Sequence, residues 1–252
     1  MGPAKIPRVL PNSIGTRRET SLHEALKIRY TGAGGSTEVA HKGFVCDGID
    51  ASGTIIEVQT SNFAAIYRKA ESLSREAKLV IVYPVIKTCF IELYDTKETL
   101  IRRRKSPRKG SFWDIFNELI HAPLLPSLSN LRIELALVDA AERRVQDGKG
   151  SWRRRGVSIV NRSLLEFHET LSLSGISSYR RFIPPELKGN FTVKQLAKIA
   201  GINETTARKA VYVLAKLNLI ERTGKEGRAW VYGTPRSPDN SKKRAARTGR
   251  PL

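Results

Sequence analysis

The stretch from Gly43 to Thr60 reads GFVCDGIDASGTIIEVQT, and its two acids decide how the rest of the chain is understood. Val45, Ile49, Ile55, Ile56 and Val58 are the β-branched residues of a buried sheet, and Asp47 and Glu57 interrupt them. A carboxylate in a half-buried strand is costly unless it is paired or binds a cation. Asp50-Ala51-Ser52-Gly53 fits a type I turn followed by a left-handed glycine, the usual three-residue hairpin loop. That register pairs Asp50 with Thr54, Ile49 with Ile55 and Asp47 with Glu57. Directly opposed residues share a face, with Cβ atoms roughly 5 Å apart. Gln59 falls on the same face by the two-residue period, while Cys46, Ile56 and Val58 point the other way. A two-residue loop would instead set Asp47 opposite Ile56, but Gly53 stands where the left-handed residue is required. The competing reading is a solvated outer face carrying unrelated acids.

The chain has 252 residues, 40% of them hydrophobic, which is enough for one large or two small domains with real cores. Its net charge of +20 and pI near 10.3 point to a polyanionic partner, most simply nucleic acid. Cys46 and Cys89 both lie in apolar runs and read as small buried hydrophobes in a reducing compartment. The longest apolar run, Leu79 to Ile86, is interrupted by Pro84 and falls far short of the ~20 residues a membrane helix needs. The expected location is cytoplasmic, associated with the nucleoid, with no membrane partner.

Residues 1–18 are Pro-rich and basic and read as a flexible arm. A helix is expected from Ser21, where Ser21 and Glu24 form an S-x-x-E capping box. Glu24 therefore has two readings: a cap, or an acid that reaches the hairpin. The loop TGAGGST, 31–37, lacks the Gly-Lys-Ser/Thr of a P-loop and the third glycine of a dinucleotide fingerprint. It reads as a connector. Phe63, Ile66, Ala70 and Leu73 make the apolar stripe of a helix over 61–78. LVIVYPVI, 79–86, is a continuous buried strand, and 88–94 a further one. A crossover through that helix would set strand 79–86 parallel to its neighbour.

A leading helix with Glu24, a strand with Asp47, Glu57-Val58-Gln59 on the next strand, then a helix and a strand: this order resembles the core of the PD-(D/E)xK nuclease superfamily. Restriction endonucleases and Holliday junction resolvases belong to it, and the resemblance covers residues 19–96. It implies an α/β fold, a restriction endonuclease-like mixed sheet core flanked by helices. It also implies Glu24, Asp47, Glu57 and Gln59 as catalytic residues, with Asp47, Glu57 and the Val58 carbonyl as ligands of Mg²⁺ or Mn²⁺. Hard oxygen donors suit such an ion, which lowers the pKa of bound water. Gln59 departs from the lysine usual in the family, although restriction enzymes with other residues there, Gln included, exist. Gln59 can orient a water but carries no charge.

Residues 97–182 carry two basic segments and no family motif. IRRRKSPRKG contains Arg102, Arg103, Arg104, Lys105, Arg108 and Lys109, and reads as a phosphate-gripping strand or loop. GKGSWRRRG brings Trp152 beside Arg153, Arg154 and Arg155; the indole either stacks on a base or packs under the domain. SFWDIFNELIH, 111–121, reads as a short amphipathic helix, and 131–138 as a strand. Residues 183–233 hold two helices and a hairpin, with a Thr192/Gln195 capping box, Gly201 in the turn and Asn218 as a left-handed cap. This segment resembles a winged helix-turn-helix domain. The resemblance implies a recognition helix led by Thr205, Thr206, Arg208 and Lys209, and a wing with Arg222, Lys225 and Arg228 near the DNA backbone. Winged helices that bind proteins are the alternative. Residues 234–252 read as a disordered basic tail.

The leading functional expectation is a Mg²⁺-dependent DNA endonuclease with a winged-helix DNA-binding domain. The alternatives are a catalytically weak or inactive nuclease-fold transcriptional regulator, and a structure-specific resolvase acting as a homodimer.

Overall fold

A computed structural model describes residues 20–187 and 189–235. The basic arm at 1–18 and nearly all of the tail at 234–252 lie outside the described residues. The chain begins with α1 (Ser21–Thr31) and the strands β1 (Ser36–His41), β2 (Phe44–Ile49) and β3 (Ile55–Val58). Then come α2 (Phe63–Ser74), β4 (Leu79–Tyr94), β5 (Leu100–Lys105), a 3-10 turn (Phe112–Ile115) and the single-turn α3 (Phe116–Leu119). The long strands β6 (Leu131–Gln146) and β7 (Val157–Ser174) complete this part. A C-terminal unit contains β8 (Phe191–Thr192), α4 (Val193–Ala200), α5 (Glu204–Lys216), β9 (Glu221–Glu226) and β10 (Ala229–Gly233).

The fold is α/β, with a mixed seven-stranded sheet in the order β1-β2-β3-β4-β6-β7 and β5 on the edge of β4. Helices lie on both faces. β3 is followed by α2 and then by β4, parallel to β3 and beside it, as the crossover pattern predicts. Residues 97–182 do not form a separate body: β6 lies parallel to β4 along its whole length, and β7 runs antiparallel to β6. The strands read as 79–86 and 88–94 are one continuous strand with a bulge between Ile86 and Thr88.

Two cores sandwich the sheet. Leu22 and Leu26 of α1 cover Ile56, Val58, Val80, Val82, Ala136 and Val138 on one face. On the other face Phe63, Ile66 and Leu73 of α2 cover Ile55, Leu79 and Ile81. The same apolar cluster runs on through Phe116 and Phe182 to Ala207, Val211 and Leu214 of α5, so the C-terminal unit is joined to the sheet by a shared core. In that unit Thr192 and Gln195 form the expected capping box, Gly201 caps α4 with φ of 64°, and Asn218 has φ of 55°. No helix among the described residues is long and apolar enough to cross a membrane, and both cysteines are free.

β4 is bordered by β3 only as far as Val82 and by β5 only from Phe90. Between them its edge is open. The carbonyls of Val82 and Ile86 turn to this edge, accepting from Gln59 N and Gly110 N. Pro84 shares their orientation by alternation, so its missing N–H falls where no strand asks for one. A cleft of about 580 Å³ lies at this gap, bounded by Thr60, Tyr83, Arg108, Asn117, Glu118 and Lys209 among others.

Candidate functional site

The hairpin turn forms as its residues dictate. Asp50 Oδ1 accepts from Ser52 N at 2.8 Å and Thr54 N at 2.9 Å, Gly53 adopts φ of 82°, and Asp50 N donates to Thr54 O. Ile49 pairs with Ile55 and Gly48 with Ile56, the register expected from the three-residue loop. The ladder stops there. β2 stays with β1 and β3 stays with β4, and a fork opens between β2 and β3. Asp47 fills it: its Oδ2 accepts from Val58 N at 2.7 Å, in place of a strand partner.

The fork separates the two acids. Asp47 turns to α1, where His23 Nε2 lies 3.3 Å from its Oδ2. Glu57 is buried on the opposite side, and its Oε1 lies 2.6 Å from the ammonium of Lys69 on α2. Lys69 also donates to Val45 O at 2.6 Å, which ties α2 to β2 across the fork. Burial pushes the Glu57 carboxyl up; Lys69 opposes this, the nearby Asp47 charge adds to it, and the net direction is upward. Burial also pushes Asp47 up, but the His23 and Val58 hydrogen bonds outweigh it and hold this carboxyl below its usual range. Cys46 sits beside Glu57, and burial first, then that carboxylate, raises its thiol to about 11. The acids are therefore unequal: Asp47 stays ionised while Glu57 is the group that gains a proton more readily.

Several expectations are corrected. Glu24 does not reach the acids. α1 begins at Ser21 as expected, but its cap is Thr20, whose hydroxyl accepts from His23 N, and His23 takes the position beside Asp47. Glu24 pairs instead with the buried Lys27 at 2.7 Å, which also holds Glu38. Gln59 does not face the acids: its amide donates to the carbonyls of Ser61 and Asn62 at the start of α2. Ile56 and Val58 share a face, as expected, and that face packs on α1; Cys46, expected with them, joins the opposite core because the strands splay. Lys69 was not foreseen. Its signal was a lysine between Ile66 and Ala70, on a stripe otherwise apolar.

The basic segments converge. Arg102 and Arg104 on β5 meet Arg144 on β6 and Arg153 and Arg154 from the β6–β7 turn around a groove of about 210 Å³. Arg103 faces the other side, where it pairs with Glu92 at 3.1 Å. Lys105 and Lys109 are exposed, Arg108 borders the cleft, and Arg155 closes its turn in the left-handed conformation. Trp152 is 83% exposed, which removes the packed reading. In the C-terminal unit Thr205 and Arg208 are exposed, and Arg208 pairs with Glu204 at 2.9 Å. Thr206 is buried and its N–H is capped by Asn203, so it offers no contact surface. Lys209 reaches the cleft and donates to Asn117 Oδ1 at 2.8 Å. Arg222 and Lys225 lie over the ring of Trp230, at 4.6 and 4.5 Å from its centroid, and Arg228 is exposed in the turn.

One further cluster, Asp139, Glu166 and His168, lies on β6 and β7. Its histidine stands between two carboxylates, Nε2 at 3.1 Å from Asp139 and Nδ1 at 3.7 Å from Glu166. One ligand atom from each of the three residues lies within 4.8 Å of the others, close enough to share a cation.

Comparison with known proteins places these features in a lineage. The family described as "Domain of unknown function (DUF8091)" matches residues 20–174, the span from α1 to the end of β7. A chain of Treponema pallidum (strain Nichols), described as an uncharacterized protein, is 30% identical over 229 residues, covering 90% of each chain. The alignment is longer than the 174 residues that end with β7, so it takes in part of the C-terminal unit. No solved structure matches the chain. With the match spanning the whole seven-stranded sheet, the chain belongs to the DUF8091 domain family.

Proposed function

We propose that the protein is a metal-dependent DNA endonuclease with a restriction endonuclease-like core, in which Lys69 stands in for the lysine that Gln59 lacks. The observation that carries this reading is the fork itself: Asp47 closes it from one strand, Glu57 on the other strand is paired with the Lys69 ammonium, and the three lie near enough to act on one another's charge. Two carboxylates and the Val58 carbonyl are hard oxygen donors of the kind Mg²⁺ takes, and Asp47, held ionised, is the stronger of the two. When bound, the ion would supply an activated water and neutralise charge on the phosphate. Lys69 compensates the buried Glu57 charge and sets a cation beside the scissile group. His23 orients Asp47. Asp47→Ala, Glu57→Ala and Lys69→Met should each abolish Mg²⁺-dependent cleavage of plasmid and branched DNA, measured against EDTA. Cleavage that persists in all three variants would refute the reading.

In this reading the C-terminal unit is a winged helix-turn-helix that contacts DNA, supported by its two helices and following hairpin and by the exposed cations Arg208, Arg222, Lys225 and Arg228. A non-catalytic DNA-binding regulator is the second reading, favoured by the ion pairs that already satisfy both acids. Calorimetric binding of Mg²⁺ or Mn²⁺ that Asp47→Asn abolishes favours the nuclease; failure to bind either ion favours the regulator.

A further inference from the structure

Beyond Val85 the sheet continues as an arm of four strands, β5-β4-β6-β7; α1 packs on one face of it, where Asn161 bonds Ser21 and Arg29 lies over Phe167, and the arginine groove lies on the other face. Its register places Ile91 opposite Arg104 and Glu142, Leu93 opposite Arg102 and Arg144, and Glu142 opposite Arg162. Opposed residues share a face, so one side of the arm is a strip of arginines over an apolar floor of Ile91, Leu93 and Val157. Glu142 is buried and neutralised by Arg144 at 2.5 Å and Arg162 at 2.8 Å. Among the described residues Arg102, Arg104, Arg153 and Arg154 meet no carboxylate. On the opposite face the arginines are matched: Arg103 to Glu92, and Arg143 to Glu98 at 3.2 Å. Cations left uncompensated on one side alone call for a polyanion.

The shape of the groove selects the kind of polyanion. A duplex presents phosphates on its outer rim and is too broad to enter a groove of about 210 Å³. Arginine walls over an apolar floor suit a chain that is charged along its backbone and apolar on its base faces. Trp152 precedes the groove's Arg153 and Arg154 in the chain; it is 83% exposed, with the Arg153 guanidinium 5.5 Å from its ring centre. An indole held in water beside arginines is a stacking platform for an unpaired base. Ile91 and Arg144 border both this groove and the larger cleft, which continues to Thr60, next to Gln59. β4 from Tyr83 to Tyr94 spans roughly 35 Å, room for several nucleotides.

We propose that this arm holds an unpaired DNA strand, with a base stacked on Trp152, and that the substrate is a tailed or branched duplex whose single strand leads along the cleft to the fork. The placement of the cut rests on the nuclease reading; the binding of the strand does not.

The test uses the full chain in EDTA, with a fluorescein-labelled oligothymidylate of about twelve nucleotides and a blunt hairpin duplex as probes. Trp152→Ala should weaken oligothymidylate binding by about tenfold, the loss of one stacked base, and leave hairpin binding within about twofold. Trp152→Phe should restore most of the loss, and Arg102→Ala with Arg104→Ala should weaken the oligothymidylate further. No loss in Trp152→Ala, an equal loss for the hairpin, or easier displacement of the probe by oligouridylate than by oligothymidylate would each overturn the proposal. Cleavage assays with Mg²⁺ then separate the two ideas. Strand binding as expected with no cut in any DNA refutes the nuclease and leaves the strand site standing. Cleavage of blunt duplex with no oligothymidylate binding does the reverse.

Discussion

Replacing Lys69 with methionine removes the cation that pairs with the buried Glu57 and keeps most of the side-chain volume. The two groups are 2.6 Å apart, and their side chains are 20% and 6% exposed. Removing one partner of a buried pair costs about 3–5 kcal/mol when the other charge is stranded. Two features reduce this. Lys69 keeps some contact with water, and Glu57 already lies above its usual pKa, so it escapes by taking up a proton. The expected loss at neutral pH is about 2–3 kcal/mol. Its pH dependence has a definite sign. A carboxyl whose folded pKa is raised favours the native state when protonated, and that contribution is lost as pH rises through the folded pKa. Without Lys69 the folded pKa rises further, so the variant's penalty should grow with pH between the two folded pKa values and shrink on acidification. Urea denaturation over a pH series measures this, and Glu57→Gln should remove most of the penalty in the double variant. A penalty that is independent of pH, or that Glu57→Gln leaves untouched, would refute the coupling.

Four other outcomes are expected. His23→Ala should raise the Asp47 pKa toward its ordinary value, so the stability Asp47 contributes is lost at a higher pH during acid titration than in the parent; NMR titration of the Asp47 carboxyl reads this directly. Gly48→Ala should destabilise by about 1–3 kcal/mol in thermal denaturation, because a Cβ there runs into the Thr31 side chain, and Thr31→Ala in the same chain should recover much of the loss. Leu26→Ala, at a fully buried position between α1 and the sheet, should cost about 2–5 kcal/mol in urea. Arg228→Ala should weaken duplex binding without regard to sequence and lower the slope of log K against log salt by about 1.

How much of this was legible in the chain divides along the range of the interactions. The hairpin register was readable because Asp50 and Gly53 act within four residues. The caps at Thr192 and Asn218, and the parallel strand after α2, follow from rules of the same short reach or of chain crossover. The start of α1 at Ser21 was readable, but Thr20, of the same capping chemistry, holds the cap expected of Ser21, and His23 rather than Glu24 meets Asp47.

The rest depends on distance in space. Alternation predicts faces only while a ladder lasts, and the β2–β3 ladder ends at Gly48, so the sides taken by Cys46 and Gln59 could not be read from it. Lys69 reaches Glu57 only because α2 packs back over β3. Thr206 is buried, and Lys209 is engaged by Asn117 where α5 meets the sheet domain. The two basic segments, some fifty residues apart, form one groove because β5, β4, β6 and β7 run side by side. The sequence by itself determined the turn, the acids, the charge and the order of elements, all consequences of local geometry and composition. Which groups face Asp47 and Glu57, and where the cations gather, was decided by tertiary packing, because each contact joins side chains that no local rule relates.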